Sequence, residues 1–181
     1  MNSKELLIAI DRSPVSRIKA TVYSIVVSSI RYQDVLTRYS MRFKHSKGLS
    51  RREKQVYFPT ALRLIDGLVR QGVILGLDVT QYIGVLLDRL EKVKDKTFIA
   101  FIDDVLLSKR IVRNTFTNVT FLPESSIKKP SVIHSYGLAP SIAKTIMNIA
   151  DNIAYYTKIQ LEEHKQKLSQ VRSRLPLKWS I

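Results

Sequence analysis

The chain has no cysteine, only three histidines, and half as many acidic residues (15 Asp+Glu) as basic ones (30 Lys+Arg). Without cysteine there is no disulfide framework and no thiolate metal site, which agrees with a cytoplasmic setting. Six glycines and six prolines in 181 residues exclude a long low-complexity linker. No window of about 18 apolar residues is free of charge, so no transmembrane helix is expected. The opening MNSKELLIAIDRSP has one lysine and a short apolar patch. Asp11 and Arg12 follow it and no small-residue cleavage site does, which argues against a signal peptide.

Signs of catalysis are equally scarce. His45, His134 and His164 show none of the short spacings of zinc ligands. There is no G-x-S-x-G, no Gly-rich phosphate loop and no H-E-x-x-H. The adjacent acid pairs are Asp103-Asp104 and Glu162-Glu163. On a helix, neighbours point about 100° apart, so neither pair converges on one ion by itself. The expectation is a non-enzyme with no catalytic residue, no metal site and no cofactor.

What is present is a globular composition, 45% hydrophobic and 25% charged, long enough for one domain with a real core. Ser13-Pro14 reads as a helix start. Val15, Ile18, Val22, Ile25, Ile30, Leu36, Tyr39 and Phe43 then recur at roughly helical spacing, which implies a helix about 30 residues long. YSIVVSSI within it is β-like, but the length of the pattern favours helix. Ser50 and Glu53 form a capping box, and Pro59 predicts a kink or a fresh start. Further helices are expected after Asp78 and Thr97 as caps. Residues 114–127 read as a short extended segment. Ile142, Ile146, Ile149, Ile153 and Tyr156 open a long last helix reaching about Arg174. The fold class expected is all-α, a bundle of five or six helices with long first and last members.

The net charge of +15 points to a polyanionic partner, because neutralised phosphates release condensed counterions. The densest cluster is Arg31, Arg38, Arg42, Lys44, Lys47, Arg51, Arg52 and Lys54. Arg38 and Arg42 lie one turn apart on the expected helix and repel unless an anion sits between them. Tyr32, Tyr39, Phe43 and Tyr57 interleave, a mixture suited to phosphate contacts with occasional base stacking, but the place of Tyr39 and Phe43 on the apolar stripe favours core for the aromatics. Lys109, Arg110 and Arg113, with Lys128 and Lys129, form second-rank patches. Few base-reading side chains open the candidate recognition helix near Thr80, so backbone contacts without base readout are expected.

The stretch IKKPSVIHSYGLAPSIA resembles the helix-turn-helix corner of the small helical subunit of type III-B CRISPR effector complexes. Pro130, Ile133, Gly137, Leu138, Ser141, Ile142 and Ala143 match by position, with Tyr136 where that family often has asparagine. The resemblance covers about 20 residues. It implies a non-catalytic, stackable, all-α subunit of a ribonucleoprotein, with RNA and sibling subunits as partners, Gly137 as a left-handed cap and Leu138 tucked beneath it. Composition alone leaves two other readings open: a DNA-binding coat protein of an archaeal virus, and a dimeric helical DNA-binding regulator.

Overall fold

The structure is a computed structural model that describes residues 5–108, 116 and 119–181. Lys109, Arg110 and Arg113 lie outside the described residues. At its centre stands a six-stranded mixed sheet, which overturns the all-α expectation. The chain runs β1 (Leu6–Val15), β2 (Ala20–Ser29), α1 (Gln33–Arg38), α2 (Arg51–Arg70), β3 (Ile74–Thr80), α3 (Ile83–Glu91), β4 (Phe98–Ile102), α4 (Asp104–Ser108), β5 (Val119–Pro123), α5 (Pro130–His134), α6 (Pro140–Glu162), α7 (Leu168–Arg172) and β6 (Lys178–Trp179). Across the sheet the order is β5-β4-β1-β2-β3-β6. β1, β2 and β3 are antiparallel neighbours, whereas β4 and β5 run parallel to β1 on its other side.

The expected first helix is in fact the β1–β2 hairpin followed by the short α1. Pro14 pairs opposite Thr21 within the hairpin, and YSIVVSSI is strand. Helices were expected after Asp78 and Thr97; the first is present as α3 but begins only at Ile83, after β3 has run through Asp78 to Thr80, and the second opens as β4 before the short α4. The reason is common to all these segments. LLIAI, ILGLDV and FIAFI are buried on both faces of the sheet, so they show no alternation, and an apolar run without alternation matches a helix stripe equally well. The extended reading of residues 114–127 holds for β5.

Two clusters of side chains sandwich the sheet. Leu7, Ala9, Ile99, Phe101 and Leu122 face α2, α5, α6 and α7, meeting Ile65, Leu68, Ile133, Ile146, Ile149, Ile153 and Val171. Leu6, Ile8, Ile10, Phe98 and Ile102 face α3 and α4, meeting Leu86, Leu90 and Leu106. Each fully buried aliphatic contributes about 1.5–3 kcal/mol by burial. α6 therefore anchors the larger layer: Ile146, Ile149 and Ile153 are fully buried and Ile142 nearly so.

Other local signals fare differently. Ser50 and Glu53 make the expected capping box at the start of α2. Pro59 lies inside that helix, which runs through it to Arg70 without a fresh start. The long last helix ends at Glu162, and a separate α7 follows. Gly137 has φ +74 and the Leu138 N–H donates to the Ile133 carbonyl, closing the α5–α6 corner over a buried Leu138.

Candidate metal centre and its basic flank

Strand register assembles the site. Ile10 of β1 pairs with Ile102 of β4, and Ile102 pairs with Pro123 of β5. The next residue on each strand is acidic: Asp11, Asp103 and Glu124. Asp11 shares the parity of Leu7 and Ala9, which face α6, while Asp103 and Glu124 stand just past the ends of β4 and β5. Their carboxylate oxygens lie within 4.8 Å of one another. A fourth acid, Asp151 of α6, lies close enough to act electrostatically on Asp11.

These carboxylates are held in different ways. Asp103 Oδ1 accepts from Arg12 Nε at 2.8 Å and from the N–H groups of Val105 and Leu106 at 3.0 and 3.2 Å. That bonding fixes the carboxylate and leaves Oδ2 without a partner among these contacts. Asp151 accepts from the Ser46 N–H at 2.7 Å and the Ser46 hydroxyl at 2.9 Å, so both its oxygens are engaged. Between the acids stands His45, 3.7 Å from Glu124 Oε1 and 3.5 Å from Asp151 Oδ2.

Asp11 is the exception. It is 6% exposed, and among the described residues no basic side chain pairs with it. Burial is the main cause that pushes its carboxyl well above the usual carboxylate range. The charges of Asp151, Glu124 and Asp103 add to the shift, against a smaller opposing contribution from the Arg12 backbone N–H. Glu124 is raised as well, first by burial, with His45 pulling the other way. A buried carboxylate aimed at two others, with no cation of its own, lacks the compensation that buried charge requires. A divalent cation at this point would supply it, since hard, oxygen-ligated ions take carboxylates at this spacing.

Around the acids the surface turns basic. A cavity of about 540 Å³ opens beside Glu124, lined by His45, Lys47, Lys128 and Lys144 among others. Lys144, Met147 and Asn148 of α6 form part of its wall, and the polar residues of that helix anchor the neighbouring loop. Asn148 donates to the Phe43 carbonyl at 2.8 Å, Asp151 holds Ser46, and Asn152 donates to the Tyr57 hydroxyl at 2.7 Å. The loop carrying Lys44, His45 and Lys47 is thereby pinned to a helix whose opposite face is core.

No model of a known protein family matches the chain, and no curated protein does.

The basic residues singled out from sequence separate in space. Lys47 and Lys128 line the cavity beside Glu124, and Arg51 and Lys54 line a second groove between α2 and α6. Arg31 lies elsewhere, with Glu5 and Lys96 near the start of β1. Its guanidinium covers the Tyr32 ring at 5.2 Å, as Arg42 covers Tyr39 at 5.8 Å. Arg38, Lys44, Arg52 and Lys129 are exposed. Of the interleaved aromatics, Phe43 is buried in the core and Tyr39 stacks against it, which agrees with their reading as core residues.

Sequence reasoning missed Asp11, Glu124, Asp151 and Lys144. It set aside Asp103 as one of a helical pair and His45 for want of zinc-like spacing. In the structure Asp103 follows a strand and Asp104 begins α4, so the angular argument does not apply to them. A usable signal was the recurrence of an apolar run ending in aspartate, LLIAID and FIAFID.

Proposed function

We propose that this chain is a divalent-cation-dependent enzyme that hydrolyses phosphodiester bonds in nucleic acid. The observation that carries the reading is the carboxylate row: Asp11, buried and without a basic partner among the described residues, lies with Asp103 and Glu124 within 4.8 Å, and Glu124 also lines a cavity walled by lysines. Asp11, Asp103 and Glu124 hold the cation. When bound, it polarises a phosphoryl oxygen and lowers the pKa of a coordinated water. Lys47, Lys128 and Lys144 take the phosphates on either side and set the strand across the acids. Arg12 and the first N–H groups of α4 keep Asp103 aimed. In the reaction a water oxygen bonds to phosphorus and one P–O ester bond breaks, leaving a phosphomonoester and a hydroxyl. The water's proton passes to solvent or to a nearby base.

Part of the composition-based expectation carries over into this proposal: nucleic acid as partner, held through its backbone by exposed cations, without base readout. The non-catalytic role does not carry over, because the acid row gives those cations something to position. The all-α architecture implied by the CRISPR small-subunit resemblance is overturned by the sheet, and its twenty residues are the local corner between α5 and α6.

The test is incubation of the purified chain with end-labelled duplex and single-stranded DNA and RNA, in Mg²⁺, in Mn²⁺ and in chelator. Metal-dependent cleavage that disappears in Asp11→Asn is the expected result. Salt-sensitive binding with no cleavage in either metal would return the chain to a non-catalytic binding role.

A further inference from the structure

α6 carries more than Asp151. Asp151, Tyr155 and Ile159 follow one another at four-residue steps on one stripe of the helix. Beyond Asp151 this stripe forms one wall of a groove of about 350 Å³ whose other wall is the first half of α2. Phe58 lies at its base, stacked on Tyr155 with 6.1 Å between ring centroids and 13° between planes, and tilted against Tyr156 at 5.9 Å. Lys54 Nζ sits 4.6 Å over the Tyr155 ring, and the exposed Arg51 and Pro59 complete the rim.

Two properties separate this groove from an ordinary seam between helices. Tyr155 is half-buried over a buried Phe58, whereas the main hydrophobic contact of α2 and α6 with the sheet is made by Ile65 and Leu68 on one helix and Ile149 and Ile153 on the other. It also follows the acid centre along the chain. The loop that places His45 and Lys47 at the first cavity runs directly into Ser50, Arg51 and Lys54. Lys128, Lys144 and Lys47 line the first cavity, and Arg51 and Lys54 line the second together with Glu163 and His164. From Asp151 to Tyr155 and Ile159 is about 6 to 12 Å along the helix axis. That is roughly two to four nucleotides of a stacked strand at about 3.4 Å each.

We infer that the groove between α2 and α6 takes an unpaired base of the substrate strand, stacked against the Tyr155–Phe58 pair, while Arg51 and Lys54 hold its flanking phosphates. Aromatic rings beside cations are how proteins hold unpaired nucleotides without reading their sequence. A paired base keeps its face inside the duplex and has no access to a groove this narrow. The inference rests on the nuclease reading and narrows its substrate to nucleic acid with an unpaired nucleotide a few positions from the scissile bond.

The experiment is a binding titration with the full chain carrying Asp11→Asn, so that nothing is cut. The probes are duplexes with one unpaired 2-aminopurine and fully paired duplexes of the same sequence. Quenching of the unpaired probe is expected, with about tenfold tighter binding than to the paired duplex. Tyr155→Leu, which keeps an apolar side chain in the groove, should abolish most of that preference and leave binding of the paired duplex within about twofold. Equal affinity for both probes, or a preference that survives Tyr155→Leu, overturns the stacking subsite even if the protein cleaves nucleic acid. Failure to bind either probe at low salt overturns the nuclease reading together with it.

Discussion

Two aspartates sit in the sheet at nearly equal depth, and their surroundings are opposite. Asp78 of β3 is 3% exposed and Asp11 of β1 is 6% exposed. Asp78 accepts from Arg89 Nε at 2.8 Å, from Arg172 at 2.5 Å and from the Val79 N–H at 2.8 Å. Arg172 also donates to the Val79 carbonyl, and Arg89 lies 5.0 Å from the centre of the Trp179 ring. This is a closed account of charge and hydrogen bonds that ties α3, α7 and the C-terminal strand to β3. Asp11 has three acids for neighbours and, among the described residues, no basic partner. The fold satisfies one carboxylate internally and leaves the other for something that arrives from outside.

The comparison is tested most severely at Asp78. Asp78→Ala leaves two arginines facing a partly buried gap, and a loss of about 3–5 kcal/mol of stability is expected, the range for breaking a buried ion pair from one side. Urea unfolding measures it, and folded protein that remains should still cleave in metal. A loss below about 1 kcal/mol would make the two sites alike. A smaller effect is expected at Arg12, whose side chain is one-quarter exposed and acts through Asp103. Arg12→Ala should lower metal-dependent cleavage by about 10–100-fold. Its unfolding free energy should change by no more than about 1 kcal/mol, as for a partly exposed ion pair. Cleavage at the wild-type rate would show that α4 alone aims Asp103.

Which features the sequence made legible follows from whether local spacing carries them. The Ser50–Glu53 box is a three-residue relation, and the apolar face of α6 recurs at Ile142, Ile146, Ile149 and Ile153; both are readable without knowing the fold. LLIAI and FIAFI are not, because strands buried on both faces lose the alternation that distinguishes them. That one misreading hid the site, since Asp11, Asp103 and Glu124 are 92 and 21 residues apart along the chain and meet only through strand register. Charge density is a local property, which is why Lys47, Arg51, Lys54 and Lys128 were found and then met at the cavities. Asp151 had no such signal: it is a polar residue in a buried helix, and its role depends on Ser46, 105 residues away. Trp179 likewise carries no local signal, being a single residue near the C-terminus. It packs across Gly76, where an added Cβ would come within 2.8 Å of the ring.

The central claim is that Asp11 is left uncompensated for a cation, and thermal unfolding tests it most directly. Wild type and Asp11→Asn are compared with and without Mn²⁺ across pH. A carboxyl raised in the folded state favours folding at low pH, and that contribution is lost as pH rises through its folded pKa. Without metal, wild type should therefore weaken above the ordinary carboxylate range, and Asp11→Asn should be more stable there by roughly 0.5–2 kcal/mol. Saturating Mn²⁺ should raise the wild-type Tm, increasingly as the acids lose their protons, and leave Asp11→Asn nearly unmoved. Equal Tm values for the two proteins with no response to Mn²⁺ would contradict the account.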